Sequence, residues 1–151
     1  MKRRTVLKAL PVAGILPGVA AGVLGEGLFA GRAEAAGTEV YELRVYTTAE
    51  GKLDDLLKRF REHTMTIFER HGMKNVAYWT PTDETGPYPK GKTLIYILKH
   101  PSRETATANW KAFQDDPEWQ KVRAKSEENG KIVEKVESTF MAMTDFSPKV
   151  G

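Results

Sequence analysis

Polar and apolar residues alternate strictly from Glu39 to Thr47, with Tyr41, Leu43 and Val45 on one side and Glu42, Arg44 and Tyr46 on the other. That two-residue period predicts a β-strand. The period then changes. Between Glu50 and His71 the apolar positions are Leu53, Leu56, Leu57, Phe60, Ile67 and Phe68, spaced as on one face of a long amphipathic helix, with Thr64 filling a gap in the stripe. His71-Gly72 closes that helix: glycine enters the left-handed conformation without a Cβ clash, and a histidine in the last turn faces the negative end of the helix dipole.

Strand formers return from Met73 to Thr80, and Thr93 to Lys99 is a continuous apolar run, which predicts a strand covered on both faces and so placed centrally. The Pro- and Gly-rich segment from Pro81 to Lys92 between them is a loop. Ser102 is a good helix cap for a stripe of Ala106, Trp110 and Phe113, and Asp116-Pro117 starts a further helix to about Asn129, stopped by Gly130. Alternation resumes over Val136 to Thr144, with Val136, Ser138, Phe140 and Ala142 opposite Glu137, Thr139, Met141 and Met143. The order βαββαβ predicts a ferredoxin-like α+β domain, one antiparallel sheet with helices on one face. The other face must then carry Trp79 or Tyr78, Ile95 and Ile97 or Tyr96, and two of Phe140, Met141 and Met143. An apolar face of that kind is usually covered by a partner, and a two-fold homodimer stacking sheet on sheet is the expectation.

The first 35 residues follow neither period. A basic start containing Arg3 and Arg4 precedes a weakly apolar stretch broken by glycines and two prolines, and Ala33-Glu34-Ala35 forms a small-x-small cleavage site. This resembles a twin-arginine export signal, with Val6 where that motif usually has Phe. The expectation is a signal over 1–35 and a mature domain over 36–151, exported folded to the periplasm or another extracytoplasmic compartment and touching the membrane only in transit. The alternative, a retained anchor, is weaker, because Ala9 to Gly25 is at the short limit for a spanning helix and poor in Leu, Ile and Val.

Removing the signal changes the charge. Of 23 basic and 20 acidic residues, five and two fall in the first 35, which leaves 18 of each. A neutral mature chain argues against nucleic acid as a partner. The absence of cysteine excludes disulfides, thiolate nucleophiles and cysteine-ligated metal sites.

Candidate chemistry is sparse. His63 and His71, eight residues apart on one helix, lie about 12 Å apart along its axis and cannot share a metal. His71 is explained by the helix end and His100, before Pro101, by a turn; His63 alone keeps a reading as acid, base or axial ligand. Glu42 and Arg44 share a strand face with Tyr46. Beneath a partner sheet they would form an intersubunit ion pair, or Arg44 would hold a carboxylate or phenolate between walls of Tyr46, Tyr78, Trp79 and Tyr96. The spacing of Trp110, Phe113 and Trp119 reads as core packing. No phosphate loop, His-Glu metal motif or nucleophile elbow is present, and no cofactor is expected.

Tyr41-Glu42-Leu43-Arg44-Val45-Tyr46, Gly51-Lys52-Leu53, His71-Gly72-Met73, Tyr78-Trp79-Thr80, Leu94-Ile95-Tyr96, and Trp110-Lys111-Ala112-Phe113 through Asp116-Pro117-Glu118-Trp119 together resemble the NIPSNAP family, from Val40 to about Pro148. The resemblance implies a dimeric α/β barrel, in which two ferredoxin-like sheets close on each other, and it supplies no catalytic residue. Two readings follow. The homodimer binds a small apolar or aromatic ligand between sheet and helices, with cofactor-free oxygenase or isomerase chemistry in the related barrels; alternatively, it is a non-catalytic scaffold that uses Pro81 to Lys92 or a dimer surface to bind another exported protein.

Overall fold

The computed structural model describes residues 38–150. The expected export signal, with Arg3, Arg4, Ala33 and Ala35, lies outside the described residues. The chain runs β1 (Val40–Thr48), α1 (Leu53–Arg59), a π-helical turn (Phe60–Thr64), α2 (Met65–Arg70), β2 (Lys74–Trp79), β3 (Thr93–His100), α3 (Arg103–Asp115), α4 (Pro117–Ser126) and β4 (Val133–Met141). The strands form one antiparallel sheet in the order β2-β3-β1-β4. This is the expected ferredoxin-like α+β arrangement, with β1 and β3 at its centre.

Local signals fix the helix ends. The Ser102 hydroxyl accepts from the Thr105 amide at 3.1 Å, and Asp116 Oδ1 accepts from the Glu118 and Trp119 amides at 2.8 and 3.2 Å, satisfying amides that a helix start otherwise leaves open. Gly72 takes φ 73° just after His71, as a left-handed stop requires. The core lies between helices and sheet, where Leu56, Phe60, Ile67 and Phe68 meet Leu94, Tyr96 and Leu98 of β3 together with Phe113 and Trp119. Each such side chain contributes roughly 1.5–3 kcal/mol by leaving water.

The first helix departs from the expected regular stripe. Its middle turn, Phe60–Thr64, is π-helical. Thr64, the last residue of the turn, and Arg59, just before it, are both buried. Thr64 donates its hydroxyl to the Arg59 carbonyl at 3.2 Å. Such turns recur at functional sites.

Three boundaries and the element that holds His100 differ from the sequence expectation. β4 begins at Val133 rather than Val136 and ends at Met141, because a register shift between Thr47 and Thr48 lets Val133 join the ladder. α4 ends at Ser126 rather than near Asn129. His100, expected in a turn, is the last residue of β3 and fully buried.

The larger correction concerns β1. Glu42, Arg44 and Tyr46 face the helices, not a partner sheet: the register sets Arg44 opposite Tyr96 and Ser138, and Glu42 bonds to Trp110 of α3. The Glu42–Arg44 pair is therefore made within one chain. The second face carries Tyr41, Leu43 and Val45 with Trp79, Ile95, Ile97 and Met141. No helix among the described residues lies on it, and Met143, Ser147 and Val150 of the C-terminal segment border a cavity of about 370 Å³ beside Tyr41 and Trp79.

Candidate functional site

Buried polar groups on the helix-covered face of β1 organise the interior. A carboxylate 1% exposed is costly unless it accepts several hydrogen bonds, and Glu42 does. Its Oε1 takes Arg44 Nη1 and Ser138 Oγ, each at 2.6 Å. Its Oε2 takes Trp110 Nε1 at 2.6 Å and lies 3.0 Å from His100 Nε2. Because a carboxylate only accepts, Nε2 carries the proton in that contact; His100 Nδ1 has no partner among the described residues. Burial works against ionisation, but the His100, Ser138 and Trp110 hydrogen bonds and the Arg44 charge outweigh it and hold the Glu42 pKa down at about 2.

Arg44 is fixed on three sides. Besides Glu42, its Nη2 donates to the Tyr46 hydroxyl at 3.2 Å, and its guanidinium lies 4.1 Å from the centre of the Trp110 ring, a cation–π contact. Burial disfavours its charge, yet Tyr46, Tyr96 and Glu42 more than compensate, and its proton is held more tightly than usual.

Beside this cluster, between the sheet and the helices, is a cavity of about 390 Å³. Arg44 and Tyr46 of β1, Phe60 and Thr64 of the π-helical turn, Trp119 of α4 and Val136 of β4 border it. Arg59 borders it too, with a side chain only 4% exposed. Its Nη1 donates to Ser126 Oγ at 3.1 Å and Glu127 Oε1 at 3.3 Å, and its Nε is buried without a partner among the described residues. Desolvation, the largest influence on Arg59, exceeds the support from Glu127, and its pKa is lowered. The two arginines thus differ in their carboxylates, at 2.6 Å from Arg44 and 3.3 Å from Arg59, while each leaves its Nε buried without a partner among the described residues.

The sequence-predicted residues divide among three places. Arg44 and Tyr46 border the cavity. Tyr78 and Tyr96 sit behind it, stacked at 5.2 Å, with the Tyr46 ring edge-on to Tyr96 at 5.3 Å; burial is the largest cause that pushes both hydroxyls above their ordinary range, and the Glu69 charge adds to it at Tyr78. Trp79, half exposed, is on the opposite face of the sheet. His63 is exposed and lines a separate groove of about 510 Å³ between α1 and α4, so it does not join Arg44. Sequence reasoning missed Arg59, Arg123 and Glu127, and treated Trp110 as packing alone. Among the described residues, no three His, Asp or Glu side chains are placed to hold a metal ion.

The NIPSNAP family profile matches residues 41–148. The chain belongs to the NIPSNAP family. Solved NIPSNAP structures share its fold. One from Agrobacterium tumefaciens, described as a NIPSNAP family protein of unknown function, is 22% identical with a TM-score of 0.60, covering 74% of this chain and 93% of its own. A second Agrobacterium tumefaciens NIPSNAP family protein is 23% identical at a TM-score of 0.62, covering 73% and 97%. An uncharacterised NIPSNAP-like domain protein from Burkholderia xenovorans is 15% identical at 0.61, covering 75% and 91%. No match is found among curated proteins. The NIPSNAP match includes every element that borders the cavity, from β1 to β4.

Proposed function

We propose that this NIPSNAP-family protein is exported by the twin-arginine route, pairs as a homodimer through the second face of its sheet, and holds a small aromatic or apolar molecule in the 390 Å³ cavity beneath its helices. One observation carries the ligand reading: a half-open cavity lined by aromatic side chains also borders two largely buried guanidinium groups. Its size falls in the usual range for small-molecule sites, which combine apolar walls with a few placed polar groups. Pairing is supported by the apolar character of the second face, with Trp79, Ile95, Ile97 and Met141 together on one side of the sheet.

Native mass spectrometry of protein isolated from the exported pool tests pairing and occupancy together. The expected result is a dimer that retains a discrete small mass, or that takes up added 8-anilinonaphthalene-1-sulfonate at one per protomer. Val136→Trp, at an exposed position on the cavity rim, should block that uptake. A monomer overturns the pairing. A dimer that neither retains nor takes up a molecule overturns the ligand site.

A further inference from the structure

The ligand class follows from how charge is distributed around the cavity. Arg44 has Glu42 at 2.6 Å, and its stacking on Trp110 fixes it in place. A ligand anion competing for Arg44 would have to displace an ion pair already satisfied. Arg59 is in the opposite position. Its one carboxylate, Glu127, sits 3.3 Å away and is divided with Arg123, whose Nε lies 3.5 Å from the other oxygen. Nε is buried without a hydrogen-bond partner among the described residues in both Arg44 and Arg59, so what sets Arg59 apart is the longer, shared contact with its carboxylate.

The cavity border carries Arg44, Arg59, Arg123 and Lys131 against Glu127 and Glu134. Glu42 behind Arg44 neutralises one more cation, which leaves a single positive charge in excess. A second negative charge on a ligand would lie beside Glu127 and Glu134. The walls set the shape. Tyr46, Phe60 and Phe68 present ring faces and edges, and Trp119 stands 5.3 Å from the Arg59 guanidinium. Flat aromatic groups pack against such walls in offset or edge-on geometry, while a buried cation with free donors selects a carboxylate.

We infer that the cavity takes an aromatic monocarboxylate and that Arg59, rather than Arg44, is its counter-charge. This rests on the cavity being a ligand site. In this arrangement the carboxylate completes the coordination that Glu127 supplies only in part. Arg44 serves as a fixed wall stacked on Trp110.

The test is isothermal titration of the purified protein at pH 7 with three probes: 1-naphthoate, its neutral isostere 1-naphthamide, and octanoate. Naphthoate should bind at least tenfold more tightly than either of the others, and Arg59→Gln should bring naphthoate down to the level of the amide. Arg59 is buried, so Arg123→Gln provides a second variant at a 56% exposed side chain. Freeing Glu127 for Arg59 should weaken naphthoate severalfold and leave naphthamide unchanged. Equal binding of naphthoate and naphthamide overturns the charge assignment while the cavity stands. Tighter binding of octanoate overturns the aromatic assignment. If none of the probes binds to wild-type protein, the ligand site itself is overturned.

Discussion

The indole Nε1 of Trp110 donates to Glu42 Oε2 at 2.6 Å, across 68 residues of sequence. The contact ties α3 to the centre of the sheet, and the same indole supports the Arg44 guanidinium. Trp110→Phe keeps most of the ring but removes a hydrogen bond to a buried charge, which should destabilise the fold by about 2 kcal/mol. Glu42→Ala leaves Arg44 buried without its anion and should cost about 3–5 kcal/mol. Urea unfolding of the two variants against wild type gives both values. An effect below that of Trp110→Phe for the Glu42 variant would contradict the placement of Glu42 at the hub.

The same carboxylate makes stability pH-dependent in a defined window. Its pKa is near 2 in the fold against 4.5 ordinarily. The unfolded chain therefore binds more protons than the folded one between those values. The contribution of Glu42, about 3 kcal/mol, is complete above pH 4.5 and disappears as pH falls toward 2. Unfolding free energy measured from pH 6 to pH 2.5 should drop along this slope, and Glu42→Gln should flatten the Glu42 part of it.

How much of this was legible in the sequence depends on the range of the cause. Ser102, Asp116 and Pro117 announce their helix starts because a cap acts on amides two or three residues away. The alternation of β1 correctly groups Glu42, Arg44 and Tyr46 on one face. It could not say which face turns inward, because a buried carboxylate is tolerable only through His100, Trp110 and Ser138, which lie 58, 68 and 96 residues away. Arg59 was hidden for the same reason. A basic side chain at the edge of an apolar stripe reads as solvent-facing, and the groups that hold it inside, Ser126 and Glu127, lie 67 and 68 residues away.

Gly72 and Gly51 separate backbone strain from crowding. Both have positive φ, 73° and 68°, but a Cβ on Gly72 would meet Asn109 Nδ2 at 3.0 Å while Gly51 faces open space. Gly51→Ala should lose only the left-handed penalty, about 1 kcal/mol. Gly72→Ala adds the displacement of the Asn109 side chain. Thermal melts should therefore rank wild type above Gly51→Ala and Gly51→Ala above Gly72→Ala; equal melts for the two variants would remove Asn109 from the account.

Export is tested by the two arginines that define the proposed signal. Conservative replacement keeps the charge of the basic start but removes the paired guanidinium groups. The double variant Arg3→Lys, Arg4→Lys should accumulate as full-length precursor in the cytoplasm. Fractionation and immunoblotting read the outcome, and normal export of the double variant would refute the twin-arginine assignment.

Asp116 joins two jobs in one carboxylate. Oδ1 caps α4 through the Glu118 and Trp119 amides, while Oδ2 meets His71 Nε2 at 2.7 Å and Arg70 Nη2 at 2.8 Å, fastening the end of α2 to the start of α4. The His71 and Arg70 contacts are the largest influences and hold its pKa well below the usual carboxylate range. A depressed pKa means that this contribution is present at neutral pH and lost on acidification. Asp116→Asn can still accept from the two amides, so it retains the cap and loses only the ionic clasp; Asp116→Ala loses both. Melting temperatures at pH 7 should fall in the order wild type, Asn, Ala. The gap between wild type and Asn should shrink in high salt, which screens the clasp, whereas the gap between Asn and Ala should persist because a cap hydrogen bond is not screened. Identical melts for Asn and Ala would assign the whole effect to charge and none to the cap.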